Sequence, residues 1–450
     1  MSTANITHRS IWSLAWPLIL ANLSVPLTGI IDAFVLGQQP TPGSLASLVI
    51  STKIFEFSLF LFYFLSLATT TLVSKSFGQD KPLTARLWGL RSLTFGLCLG
   101  LLIVPLLALI SPAWIKFLGG TPETYPDALT YIHIGLIGVP AQLMTQALLG
   151  WLFGAMKNQD VMGLSLLINL SNISLTYVLV MHYDLGIKGA AIGTVVGQWL
   201  GLCYGLYASK YLFKDIRQQF SNIFDFTGVK QLLSANRDLF LRSVCIMSFL
   251  QCITKMSASM GTFGIAAMGI IMTLVFASSY IQEAFVRVTE ALIARVYDPQ
   301  DTIHYTIVTS KIRLWVIGLI IFFIALFSIF ADKFILAVTQ DTSTQFLASS
   351  LVPYLLIYIA LASWNYYYNA ILIGLGAFTQ LRDAYILSTL VFLITMWFYF
   401  YSEPNFQRLW ITTYIFELTR IINLKLALYR KLREPLKRKD SELELPSLIP

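Results

Sequence analysis

The chain has 450 residues, of which 56% are hydrophobic and only 12% charged, with a formal net charge of +8. Its mean hydropathy of +0.70 excludes a soluble globular domain of any class, because water cannot solvate so apolar a surface. Runs of about 20 apolar residues recur, each long enough to cross a bilayer's hydrocarbon core, and short clusters of Lys, Arg, Asp, Pro and Gly interrupt them. Lipid gives backbone polar groups no partner, so such runs cross as helices, and the expected fold is an all-α polytopic membrane protein.

Taken in chain order, the start from Met1 to Arg9 is polar. The run after it, 11–36, is too long for a signal-peptide core and lacks a clear small-x-small cleavage site, so it is the first predicted span. Further spans are expected at 46–77, 86–110, 125–155, 160–181 and 187–213. Six more follow at 234–260, 264–295, 308–330, 346–376, 382–402 and 406–430, making twelve. The expected organisation is an N-lobe over 1–213, a cytoplasmic linker over 214–233, a C-lobe over 234–430 and a basic, polar tail over 431–450.

With both termini cytoplasmic, most of the 31 Lys and Arg fall on inner loops and tails, few on outer loops, and only Lys53 and Arg287 within predicted spans. That distribution fits the positive-inside rule. The basic stretch from Lys425 to Lys439 is read as a juxtamembrane segment facing anionic lipid, not nucleic acid. The four cysteines, Cys98, Cys203, Cys245 and Cys252, all lie in apolar runs and are read as small packing residues.

The two halves match at an offset of 220 residues. Thr71 to Phe77 faces Ala291 to Tyr297, and Gly150-x-x-x-Gly154 faces Ala370-x-x-x-Gly374. Six-helix halves repeated in one orientation imply a pseudo-two-fold axis along the membrane normal, with a substrate path between lobes.

The chain has no G-x-x-x-x-G-K-[ST] loop for ATP, and its four His are scattered without metal-ligand spacing. No organic cofactor or metal is expected, and energy would come from an ion gradient or the substrate's own. Acids within apolar runs are the residues that could carry chemistry. Asp32 follows Pro26 and Gly29 among Ile30, Ile31, Ala33 and Phe34, where a charge costs several kcal/mol unless protonated, paired or facing a cavity. The alternative is an acid solvated near the outer interface. Pro26 cannot donate to the carbonyl of Asn22, so a bend in span 1 is expected there, or a ring that neighbouring helices simply accommodate. Asn169, Asn172 and Thr176 share one face of span 5 and could line a cavity or bond a neighbouring helix. Gly189, Gly193, Gly197, Gly201 and Gly205 in span 6 read as a close-packing seam. Glu283, Arg287 and Glu290 are spaced for an internal ion-pair ladder or a second ion site. Lys53 and Glu56 invite the same pairing. Trp364 and Tyr366 to Tyr368 read as anchors or packing before a cation cage.

Several segments resemble the multidrug and toxic compound extrusion (MATE) family, in the branch typified by DNA-damage-inducible protein F. They are Trp16 to Ile19, Asn22 to Asp32, Leu36-Gly37, Thr69 to Leu72 with Phe77-Gly78, Leu148 to Gly154, Asn169 to Ile173 and Gly189 to Ala191. The resemblance runs through both halves and is crisper in the first. It implies two six-helix lobes around a V-shaped cavity and efflux of varied, often cationic or amphipathic organic solutes in exchange for H+ or Na+. By matching positions it also implies an ion-coupling role for Asp32, a bend at Pro26, and family polar positions at Asn169 and Thr194. The chain departs from the family pattern in three places. Thr176 stands where many members have an aspartate, Gln282-Glu283 replaces an Asp-Gly pair while Glu290 is kept, and Asn369 stands where relatives can have aspartate.

The resulting expectation is a MATE-like antiporter of an inner (plasma) membrane, monomeric, with Asp32, Asn169, Thr176 and Thr194 around the coupling ion and two lobes alternating access. A lipid-linked sugar flippase of the wider superfamily is the alternative, and scarce cations within the spans argue against it. A membrane enzyme or a signalling protein would need ordered catalytic groups or a sizeable soluble domain, and neither is visible.

Overall fold

The computed structural model describes residues 6–38, 44–214, 225–299 and 302–443, and fourteen α-helices lie among them. The first eight are α1 (His8–Gly37), α2 (Ser44–Phe60), α3 (Phe64–Gly78), α4 (Pro82–Phe117), α5 (Tyr125–Leu136), α6 (Val139–Gly154), α7 (Asn158–Met181) and α8 (Gly186–Ala208). A 3-10 turn, Lys210–Phe213, closes this series. The remaining helices are α9 (Phe226–Ala258), α10 (Gly261–Val296), α11 (Ile303–Val338), α12 (Thr342–Gly374), α13 (Phe378–Thr395, extended by a π turn Met396–Phe400) and α14 (Phe406–Leu443).

Among the described residues, ten stretches are long and apolar enough to cross a membrane, with α2 and α3 together forming one of them, and the bent pair α5 and α6 makes eleven. The predicted twelve is therefore not exact. The twelfth expectation, 406–430, falls on α14, which is long enough but carries Arg408, Glu417, Arg420 and Lys425 and is not among the apolar spans. The sixth prediction, 187–213, runs too far, because the helix stops at Ala208 and the chain tightens into the 3-10 turn. Helix α9 begins at Phe226, inside the stretch expected as linker. Residues 215–224 of that linker and 444–450 of the tail lie outside the described residues.

The chain divides into two compact units. One is Trp12–Asn236; the other joins Met1–Ile11 to Arg237–Pro450. In the first unit, Val35 and Leu36 of α1 pack with Leu48, Tyr131, Val180, Ile187 and Ala190, tying α1 to α2, α5, α7 and α8. In the second, Phe249 stacks on Phe416 with centroids 4.2 Å apart while Phe392 meets both edge-on. On the outer faces large apolar side chains stay exposed, as on α4 (Leu102, Leu109) and α11 (Ile321, Phe330), which suits hydrocarbon and not water.

Close helix approach rests on small residues, as it must where lipid removes the hydrophobic drive for association. A Cβ placed on Gly197 would sit 2.8 Å from the carbonyl oxygen of Ile168, and one on Gly193 would be 2.9 Å from the Thr176 nitrogen, so α7 and α8 touch backbone to backbone. The 220-residue repeat reappears here. Gly154 packs on the Thr70 carbonyl and Val73 of α3, and Gly374 packs on the Glu290 carbonyl and Ile293 of α10, each contact shifted by the same offset.

The break between α5 and α6 bends the span by 51°. Pro140 and Gly138 weaken the ladder there, and the Trp199 indole of α8 donates to the freed Ile137 carbonyl at 3.2 Å.

Gly154→Ala and Gly374→Ala should each cost about 1–3 kcal/mol through overpacking and lower the melting temperature of the purified protein. At Gly269 nothing lies within 4 Å of an added Cβ, so Gly269→Ala should be neutral or stabilising by up to about 1 kcal/mol through helix propensity. Equal melting shifts at all three positions would remove the packing explanation.

Candidate functional site

The site is built on α1 and α7. Asp32 is only 7% exposed on α1, beside the Thr176 hydroxyl of α7, which is fully buried. Neither Asp32 Oδ1 nor Thr176 Oγ1 completes a well-formed hydrogen bond among the described residues. Buried polar atoms are nearly always satisfied, so this carboxyl oxygen is an exception that asks for a ligand. Gly193 of α8 lets the helices close on Thr176 from the other side.

Two turns earlier on the same face of α7, Asn169 Nδ2 donates to Ser24 Oγ of α1 at 2.6 Å. Helix α1 is thus fastened to α7 before Pro26 through Ser24, and meets α7 again after it where Asp32 stands beside Thr176. Pro26 sits inside a continuous helix, and the hydroxyls of Ser24 and Thr28 donate to the carbonyls three residues back, Ala21 and Val25, each at 2.6 Å. Such back-bonding competes with the regular ladder and softens the helix around the proline.

A second chain of polar groups runs from α7 to α5. Asn172 Nδ2 donates to Thr194 Oγ1 at 2.7 Å, Thr194 Oγ1 donates to the Ala190 carbonyl at 3.0 Å, and the Tyr131 hydroxyl lies 3.4 Å from Thr194 Oγ1. The polar stripe of span 5 therefore bonds its neighbouring helices and reaches Asp32 as well. Asn169 is joined to Ser24 and Asn172 to Thr194. Ser24 and Tyr131 are members that sequence reasoning passed over, since a Ser or Tyr in an apolar run carries no signal of its own.

In the second unit, Arg287 of α10 pairs with Glu283 (Nε to Oε1, 3.1 Å) and with the fully buried Glu290 (Nη1 to Oε2, 3.3 Å). Neighbouring charges lie beyond this ladder. Arg242 Nε of α9 donates to Asn369 Oδ1 at 3.1 Å and its guanidinium lies over the Tyr385 ring at 5.0 Å. Fully buried Glu417 of α14 pairs with Arg420 and accepts from the Asn365 amide of α12. These correct the sequence reading that only Lys53 and Arg287 lie within spans. Arg242 and Arg420 lie inside the predicted spans 234–260 and 406–430 and were not counted there, yet Glu417 and Arg420 repeat the three-residue spacing of Arg287 and Glu290. That spacing inside an apolar run was the available signal.

Arg420→Met should leave Glu417 buried without its cation and cost about 3–5 kcal/mol, whereas the double change Arg420→Met with Glu417→Leu should recover most of the loss. Thermal melting of the purified variants reads this, and a double variant no more stable than the single one would show that the pair does not carry the effect.

The MatE family model matches residues 17–178, the stretch holding α1 with Asp32 and α7 with Asn169, Asn172 and Thr176. DNA damage-inducible protein F of Escherichia coli (strain K12) is 26% identical over 404 residues, covering 88% of this chain and 87% of that protein. A protein of Acinetobacter baylyi named "Probable multidrug resistance protein NorM" is 25% identical over 235 residues, covering 50% of this chain and 51% of its own length. Among solved structures, a MOP superfamily transporter from Pyrococcus furiosus shares the fold with a TM-score of 0.83 at 16% identity, over 94% of this chain and 95% of that one. The Vibrio cholerae MATE transporter VcmN in its bent form gives 0.81 at 18% identity, over 95% and 97%. The chain is thus similar along most of its length to DNA damage-inducible protein F, matches the MatE family model over residues 17–178, and shares the helical fold of solved MATE transporters.

Proposed function

We propose that the protein is a secondary-active exporter of small organic, cationic or amphipathic solutes, driven by an H+ or Na+ gradient, with Asp32 as the coupling site. One observation carries this reading: a carboxyl buried in an apolar helix beside a buried hydroxyl, neither Asp32 Oδ1 nor Thr176 Oγ1 completing a well-formed hydrogen bond among the described residues. A bare carboxylate there is expensive, and a proton or a Na+ ion removes the cost. Thr176 can donate to the empty carboxylate or accept from the protonated acid, which suits a group that changes state.

Occupancy of Asp32 alters the attachment of α1 to α7 beyond Pro26, while the bond from Asn169 to Ser24 holds the segment before it. The softened turn between them absorbs the difference, so ion binding and the shape of α1 are coupled. Substrate enters an N-unit cavity bordered by the helices of spans 1, 2, 5 and 6, and the two lobes alternate its access. Asn172, Thr194 and Tyr131 form the polar wall that orders α5, α7 and α8 around the ion. The protein works as a monomer in an inner (plasma) membrane with both termini cytoplasmic, and needs no organic cofactor.

The flippase alternative gains nothing from the additional arginines. Arg287 and Arg420 are each committed to buried glutamates and Arg242 to Asn369, so these three are internal counterions already engaged.

In proteoliposomes with an imposed pH or Na+ gradient, wild-type protein should concentrate a cationic dye against its gradient, and Asp32→Asn should lose at least about tenfold of that rate. Accumulation by Asp32→Asn at the wild-type rate would remove the coupling role.

A further inference from the structure

One charged pair takes no part in the coupling site. Lys53 and Glu56 of α2 form an ion pair at 2.7 Å, and their side chains are 63% and 64% exposed, although they lie within an apolar span, Ser44–Gly78. At a rise of 1.5 Å per residue they stand ~14 Å and ~18 Å along the helix from Ser44, within the apolar span and not at its end. A lysine alone could snorkel outward. Here that would abandon Glu56, the deeper of the two, so the pair belongs on a water-filled cavity wall and not on lipid.

The surroundings place the pair beside the site. Phe55, between them on α2, meets the Tyr131 ring at 6.2 Å, and Tyr131 lies within electrostatic reach of both Glu56 and Asp32. The first unit therefore carries a buried acid with an unsatisfied oxygen and, on the outward face of α2, an exposed pair of opposite charges.

We propose that Lys53 and Glu56 select substrates by charge pattern and that the favoured class is the zwitterionic amphiphile, with an anionic and a cationic group on one apolar body. This rests on the transport reading above and narrows its substrate. A monocation that binds Glu56 strands Lys53, and a monoanion that binds Lys53 strands Glu56. Leaving either charge unpaired in a partly desolvated wall offsets much of the gain. A substrate carrying both charges gives each partner a new counterion as the pair opens, so no charge is left over. Asp32 remains free for the coupling ion.

The test is equilibrium binding to purified full-length protein, read by fluorescence anisotropy, of rhodamine B, which has a carboxylate beside its cationic ring system, and of its ethyl ester, which is only cationic. Wild type should bind rhodamine B more tightly than the ester. Lys53→Gln should weaken rhodamine B about tenfold and leave the ester within about twofold, while Glu56→Gln should weaken the ester more than rhodamine B, so the selectivity ratio moves in opposite directions. The charge-reversed double variant Lys53→Glu with Glu56→Lys keeps a pair in place and should restore the wild-type ratio. Ratios within about twofold of wild type in both single variants, or a wild type that binds neither dye, would overturn the proposal. A wild type that binds with the expected ratios yet moves neither dye up a gradient would support charge selection and count against the transport reading instead.

Discussion

The cost of an unpaired charge or polar group in hydrocarbon organises this protein. It forces the backbone into helices, keeps large apolar side chains on the outer faces, and leaves few fates for an ionisable residue inside a span. Glu290 and Glu417 are fully buried and each meets an arginine one turn away. Asp32 is buried as well but forms no such ion pair among the described residues; a hydroxyl stands beside it. The contrast between paired acids in one unit and a lone acid in the other is what separates internal scaffolding from a candidate coupling group.

That lone acid is held by a frame built of small residues. Glycines on α8 bring its backbone onto α7 at Thr176 and Ile168, and the hydroxyls of Ser24 and Thr28 pull α1 into short-range bonds around Pro26. Rigid contact on one side of Asp32 and a softened turn on the other are the arrangement a local ion-binding event needs in order to become a movement of a helix. The repeated contacts of Gly154 and Gly374 show that both halves use the same close approach, while their charged residues differ. The duplicated architecture is thus conserved within the chain at its packing seams, and its chemistry is not duplicated.

Much of this was legible in the sequence. Apolar run lengths located the helices, the 220-residue offset located the repeat, and the isolation of Asp32 among Ile30, Ile31 and Phe34 marked it without any structure. What escaped notice had a common physical cause. Arg242, Glu417 and Arg420 fall inside the predicted spans 234–260 and 406–430, yet they were passed over as charges within spans, and only the meeting of distant helices shows the buried bonds they make. Tyr131 and Ser24 enter the site only because distant helices meet. The breaks in the second and fourth spans depend on local turns at Leu61 to Tyr63 and Ile137 to Gly138, where Gly138 and Pro140 mark the latter and nothing in the former stands out.

The account stands on Asp32 exchanging an ion when substrate is handled. The most direct measurement is the affinity of purified protein for a fluorescent amphipathic dye across a titration of pH and then of Na+, in wild type and in Asp32→Asn. The account predicts that raising H+ or Na+ weakens dye binding to wild type and that this dependence disappears in Asp32→Asn. An ion dependence that survives the substitution unchanged would contradict it, and would move the coupling site away from α1.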